Sequence, residues 1–124
     1  MEKSKETNFN TAKEKLNDAN QELFKPNEDV VSYSVCKNSQ FAIEGFLKGY
    51  LNHRGFVTHD EEHLEGLLNR CRALDPKFNK IDMSVINCKA AKIDSRYCSD
   101  VEKVSSCFDV ADSLDTLLKQ MKVI

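Results

Sequence analysis

Residues 29–54, DVVSYSVCKNSQFAIEGFLKGYLNHR, carry apolar side chains around too much of a helical circumference for a single buried stripe. The apolar positions are Val31, Val35, Ala42, Ile43, Phe46, Leu47, Tyr50 and Leu51. We therefore predict a central helix with neighbours on several sides. Gly45 and Gly49 lie inside it, where each costs about 1 kcal/mol relative to alanine, so we expect another helix to approach closely there.

Further helices are predicted on both sides of this central segment, because apolar residues recur there at gaps of three and four. They cover residues 9–23, 64–74, 86–97 and 101–121. The third helix opens with a predicted capping box of Thr58 and Glu61, and Asp75-Pro76 ends it. No segment has the alternation that predicts a strand.

Length and composition favour one helical domain. The chain has 124 residues, of which 40% are hydrophobic and 31% are charged, with only four glycines and two prolines. This balance is typical of compact helical proteins, and the length is that of one domain. We therefore predict a single all-α domain over residues 1–124, folded as an antiparallel up-and-down bundle of about five helices.

The sequence also predicts where the protein works. No apolar run approaches the roughly 20 residues that a membrane span needs, and the first ten residues lack an apolar signal core. We expect a cytoplasmic protein without membrane association. The formal net charge of −2 argues against a general polyanion binder, although bases outnumber acids seven to three between residues 70 and 96.

The cysteines are predicted to be buried thiols. Their number is odd, their spacings are wide, and they form no zinc-type cluster; they are Cys36, Cys71, Cys88, Cys98 and Cys107. Neither a disulfide framework nor a metal site is expected, and no cofactor is predicted.

The central helix and the segments after it resemble HEPN domains, the higher eukaryotes and prokaryotes nucleotide-binding family. The resemblance spans roughly residues 35–124. It begins with Glu44, Leu47, Lys48 and Leu51, which reproduce the family pattern Glu-x-x-Leu-Lys-x-x-Leu. Further matches follow in order; they are Thr58-His59-Asp60, then Leu64, Leu67 and Leu68, then Cys71 through Asp75-Pro76, and finally Arg96-Tyr97.

Two positions depart from the family pattern. Many relatives carry a histidine two residues before the first leucine of the third helix, where this chain has Glu62 between His59 and His63. Relatives often continue Arg-Tyr with proline, where this chain has Cys98. The first change displaces or removes a family site, and the second makes the helix break less rigid.

The resemblance implies a nucleotide-binding or partner-binding module that acts with a minimal nucleotidyltransferase in a toxin–antitoxin-like system. The nucleotide contacts would then be Lys48, Arg54, Arg96 and Tyr97. Cationic side chains bind phosphate, and an aromatic face can stack on a base. An enzymatic role is the less favoured reading, because the chain shows no convincing nucleophile or metal cluster.

The catalytic branch of the same family offers an alternative, a metal-independent endoribonuclease with an arginine and a histidine four to six residues later. Arg54 and His59 match that spacing. An imidazole can take the proton of a ribose hydroxyl while a guanidinium stabilises charge on the phosphate. On this reading the ligand is RNA, and the two residues form a composite site across a dimer.

Structural roles explain the same residues without any ligand, which leaves a helical scaffold as the third reading. Lys48 lies four residues after Glu44, the favourable order for a helical ion pair. Tyr97 continues an apolar helix face, and Arg96 suits a helix C-terminus. His59 and His63 suit a cap or surface role at the start of the third helix.

We predict a homodimer in solution, because HEPN-like bundles commonly pair and the central helix is apolar over more of its surface than a five-helix core covers. Light scattering at tens of micromolar protein should give twice the chain mass. A strictly monomeric mass would contradict this prediction and would also remove the composite ribonuclease site.

Overall fold

A computed structural model describes residues 2–25, 32–58, 63–81 and 101–123. These residues form four α-helices, α1 (Glu2–Leu23), α2 (Ser32–His53), α3 (Leu64–Leu74) and α4 (Val101–Gln120), with a 3₁₀ helix at Pro76–Lys80. No strand occurs in the described ranges, so the all-α prediction is confirmed. The predicted helix over residues 86–97 lies outside them, and the count of five helices stays a prediction.

A close helix–helix approach involves the two glycines of α2. A Cβ placed on Gly45 would lie 2.8 Å from the backbone oxygen of Asn8 and 2.9 Å from Cβ of Ala12. A Cβ placed on Gly49 would lie 2.5 Å from Cε1 of Phe9. All three distances are too short for a real Cβ contact, so the predicted close approach is confirmed, and the approaching helix is α1.

The contacts also give the relative direction of α1 and α2. Phe9 and Ala12, in the first half of α1, meet the second half of α2 at the glycines. Ala19, nearer the end of α1, belongs to a small buried cluster with Val35 and Cys36 near the start of α2. The two helices are therefore antiparallel.

The main core forms where α2 packs between α1, α3 and α4. Its fully covered members come from all four helices and from the 3₁₀ helix; they include Ala12, Ile43, Phe46, Leu47, Leu67, Leu68, Phe78, Ala111, Leu114 and Leu118. Burying a leucine, isoleucine or phenylalanine side chain contributes roughly 1.5–3 kcal/mol, so this cluster holds the helices together. Among the described residues, no helix is long and apolar enough to cross a membrane.

The ends of α3 differ in how well the sequence anticipates them. The helix ends at Leu74, and the Asp75 carboxylate then accepts a hydrogen bond from the backbone N–H of Lys77 at 2.9 Å, which caps the 3₁₀ helix. The predicted capping box is wrong, because α3 begins at Leu64 with His63 at its N-cap, and Thr58 lies outside the helix. His63 makes no side-chain capping hydrogen bond.

The cysteines divide into two groups. Cys71 and Cys107 are buried thiols, as expected, and burial raises the pKa of Cys71 to about 12 and that of Cys107 to about 11. Cys36 is disulfide-bonded, so the expectation of thiols throughout is wrong for this residue. Its partner sulfur lies outside the described residues. Spacing along the chain does not reveal which sulfur atoms meet in space, and this caused the error.

Alanine substitutions at the glycines test the packing of α1 on α2. Gly45→Ala should lower the free energy of unfolding by about 1–3 kcal/mol, because the new methyl group meets a backbone oxygen that cannot rotate away. Gly66→Ala is the matched control: Gly66 lies in α3 with nothing within 4 Å of its Cβ position, so alanine should stabilise by about 0.5–1 kcal/mol. Urea unfolding followed by circular dichroism measures both.

The decisive result is that the two substitutions change the free energy of unfolding in opposite directions. If Gly45→Ala stabilises the protein as Gly66→Ala does, then α1 does not lie against Gly45 in solution.

Candidate ligand-binding site at the end of α2

A tight turn ends α2 and sets the direction of the chain. The backbone N–H of Gly55 donates to the carbonyl of Asn52 at 3.0 Å, and that of Phe56 donates to the carbonyl of Leu51 at 2.9 Å. This is the Schellman pattern of helix termination. In it, the first residue after the helix end adopts the left-handed conformation. Gly55 has φ +88°, a conformation that side chains rarely adopt.

Arg54 stands exposed just before this turn and is held by an aromatic side chain. Its Nη1 donates a hydrogen bond to Oη of Tyr50 at 3.0 Å, and its Cζ lies 6.0 Å from the centre of the Tyr50 ring. Tyr50 is buried, with its ring centre 4.6 Å from that of Phe78. An exposed guanidinium is thus anchored on a buried aromatic pair, and its other N–H groups have no partner among the described residues.

Beyond the turn, the chain exposes apolar side chains beside a second arginine. Phe56 is 44% exposed and Val57 is 60% exposed. Nη2 of Arg70, on α3, donates to the carbonyl of Val57 at 3.0 Å. The exposed Phe56 therefore lies in the segment between Arg54 and Val57, whose carbonyl binds Arg70, and we call Arg54, Phe56 and Arg70 the α2-end site.

The residue types of the α2-end site suit a ligand with both phosphate and a flat ring. A guanidinium binds phosphate through two parallel hydrogen bonds, and its charge persists at any physiological pH. An exposed phenyl ring offers a face on which a base can stack, an interaction of about 1–3 kcal/mol per base.

The predicted contact residues are only partly brought to this site. Lys48 has a side chain only 9% exposed, and its Nζ lies 3.7 Å from Oε1 of Glu44. It precedes Arg54 by six positions, which corresponds to about 120° around the helix and about 9 Å along it. Lys48 and Arg54 therefore do not face one ligand. His59, Arg96 and Tyr97 lie outside the described residues.

The sequence analysis did not name Phe56 and Arg70 of the α2-end site, or the anchoring residue Tyr50, as functional residues. The spacing of Tyr50 and Arg54 is that of neighbours on a helix, so a search for such pairs would have found their contact. The bond from Arg70 to Val57 joins residues on either side of the interhelix segment, and no sequence signal predicts it. Phe56 is an ordinary apolar residue until its exposure is known.

The described part of the chain contains neither a metal-ligand cluster nor an activated thiol at Cys71. No group of three or more histidine, cysteine or acidic residues there could hold a metal ion. The Cys71 thiol, whose burial raises its pKa to about 12, is a poor nucleophile at neutral pH.

Comparison with protein-family models, with curated proteins and with solved structures finds no match for this chain.

A double-mutant cycle tests whether Tyr50 anchors Arg54. Tyr50→Phe removes the accepting oxygen but keeps the ring on Phe78, and Arg54→Met removes the donor. The two changes should be non-additive, with a coupling of about 0.5–1.5 kcal/mol in the free energy of unfolding, because they remove the same hydrogen bond. Strict additivity in denaturant unfolding would show that the bond contributes nothing in solution.

Proposed function

We propose that this protein is a HEPN-like nucleotide-binding module that acts with a partner protein, a minimal nucleotidyltransferase, in a toxin–antitoxin-like system. One observation carries the proposal: Arg54 is exposed yet anchored, with its guanidinium held on Tyr50 beside an exposed aromatic side chain. The family pattern at Glu44, Leu47, Lys48 and Leu51 supports the family assignment.

Arg54 would bind the phosphate. The hydrogen bond to Tyr50 uses one of the five N–H groups of the guanidinium, so enough donors remain for a bidentate contact to phosphate oxygens. Because Tyr50 already restricts the side chain, binding immobilises fewer rotatable bonds than for an unsupported arginine. The anchoring of Arg54 by Tyr50 therefore favours a role in ligand binding over that of an ordinary solvent-exposed arginine.

The surroundings add positive charge near Arg54. The Tyr50 ring packs on Phe78 of the 3₁₀ helix, which also carries the exposed residues Lys77 and Lys80. Arg70 on α3 is a further cation, and its guanidinium donates a hydrogen bond to the carbonyl of Val57. A ligand with several phosphates, such as a nucleoside triphosphate, offers charge that these cations could bind.

Thermal shift and calorimetric titration with nucleoside mono-, di- and triphosphates test the proposal. We expect a saturable rise in melting temperature that grows with phosphate number. Arg54→Ala should weaken binding about ten- to a hundredfold, because a hydrogen bond to a charged group contributes about 1.5–3 kcal/mol. Arg96→Ala should weaken it similarly if that residue contributes the second phosphate contact.

The control for charge alone is Lys13→Ala, which removes an exposed cation from α1 and should leave binding unchanged. Arg54→Lys keeps the charge but loses the bidentate geometry, so intermediate binding is expected. Circular dichroism should show the same helical signal for every variant.

Two other results would each replace the proposal. If no nucleotide shifts the melting temperature at millimolar concentration, the protein is a scaffold without a ligand. If the purified protein cleaves RNA in the presence of a chelator, and His59→Ala abolishes the cleavage, it is a metal-independent endoribonuclease with Arg54 and His59 as the catalytic pair.

A further inference from the structure

Arg72, in the last turn of α3, contacts the short helix that follows. Its Nη2 donates a hydrogen bond to the carbonyl of Ile81 at 2.6 Å, and its Nη1 donates to Oδ1 of Asn69 at 3.3 Å. Ile81 is the residue at which the 3₁₀ helix Pro76–Lys80 ends. A bond from a charged donor at this length is strong, so the side chain of Arg72 ties the end of the 3₁₀ helix to α3.

The third nitrogen of this guanidinium is in an unfavourable position. Nε of Arg72 is covered and has no hydrogen-bond partner among the described residues. A covered donor without a partner destabilises the folded state, and the bonds of the two Nη atoms offset this. The orientation of the side chain is therefore set by its contacts with Asn69 and Ile81 and not by contact with water.

The 3₁₀ helix carries the aromatic ring that packs beneath the α2-end site. Phe78 lies in this helix and is fully buried, with its ring centre 4.6 Å from that of Tyr50. The hydroxyl of Tyr50 accepts the hydrogen bond from Nη1 of Arg54 at 3.0 Å. A continuous series of contacts between described residues therefore connects Arg72 on α3 with Arg54 at the end of α2.

We propose that Arg72 is a positioning residue that sets where the guanidinium of Arg54 lies. By fixing the end of the 3₁₀ helix, Arg72 holds the ring of Phe78 against that of Tyr50. The Tyr50 hydroxyl is thereby kept where it accepts the bond from Arg54. The effect of Arg72 on a ligand rests on the nucleotide-binding function proposed above, whereas its effect on the contact between Tyr50 and Arg54 does not.

The coupling between Tyr50 and Arg54 reports on this position without any ligand. The double-mutant cycle of Tyr50→Phe and Arg54→Met is measured by urea unfolding, first in the unmodified protein and then in the Arg72→Met background. We expect the two changes to be non-additive in the first case and additive in the second, because the hydroxyl is no longer held in place. A merely structural role of Arg72 would lower the stability of every member of the cycle equally and leave the coupling unchanged.

The affinity for ATP is the second measurement, made by calorimetric titration at a temperature where every variant is folded. Arg72→Met should weaken binding about two- to thirtyfold, the range found for changes made at a distance from a binding site. Arg72→Lys keeps a charged donor without the forked geometry, so it should restore part of the affinity. The matched control is Val35→Ala, which removes apolar atoms from the separate buried cluster with Ala19 and Cys36. It should lower the melting temperature and leave the affinity unchanged.

Undiminished coupling in the Arg72→Met background overturns the proposal, and so does additivity in the unmodified protein. If Arg72→Met does not fold, the cycle is measured in the Phe78→Leu background, which removes the ring through which Arg72 acts; undiminished coupling there overturns the proposal as well. If ATP binds and Arg72→Met leaves its affinity unchanged, the proposal also fails. Failure of ATP to bind the unmodified protein contradicts the proposed nucleotide-binding function instead, and the coupling still decides whether Arg72 positions Arg54.

Discussion

The distance between the axes of α1 and α2 is set by Gly45 and Gly49, and the rest of the core depends on it. With the backbone of α1 seated where the Cβ of Gly45 would be, Ala12 and Phe9 reach the central helix directly. Ala12 and Ala19 of α1 are also small, so the contact between α1 and α2 is formed by small residues on both helices. A larger residue at Gly45 would move α1 outward and open space around Phe46 and Tyr50, which interiors packed to crystal density do not tolerate.

Because one face of α2 is filled by α1, its remaining faces are available to α3 and α4. This explains why its buried positions run around most of the helix, as at Ala42, Ile43, Phe46 and Leu47. It also explains a buried cation. The stem of Lys48 is covered by the neighbouring helices, while Glu44 one turn earlier lies 3.7 Å from its ammonium group and keeps the charge compensated.

Periodicity in the sequence predicts the four observed helices and most of their buried faces, and the two glycines predict the close approach of a neighbour. What it misses depends on contacts distant along the chain. Phe78 stands in a short polar stretch after Asp75-Pro76, and its burial in the main core, with its ring tilted against that of Tyr50, depends on residues distant along the chain. The bond from Arg70 to Val57 likewise joins segments that local pattern cannot pair, and the disulfide-bonded state of Cys36 is not visible in the cysteine spacing. Of the site, the sequence could indicate Arg54 and, through the four-residue spacing, its contact with Tyr50, but not its exposure.

The Schellman turn after α2 has a consequence for association entropy. Its two hydrogen bonds and the left-handed Gly55 leave the backbone between Leu51 and Phe56 with little residual freedom. Ordering a residue on binding costs about 1–2 kcal/mol when the chain is mobile beforehand. Here that ordering is completed when the helix folds, so a ligand at the proposed site would meet the backbone of Arg54 and Phe56 already in place and would restrict only their side chains.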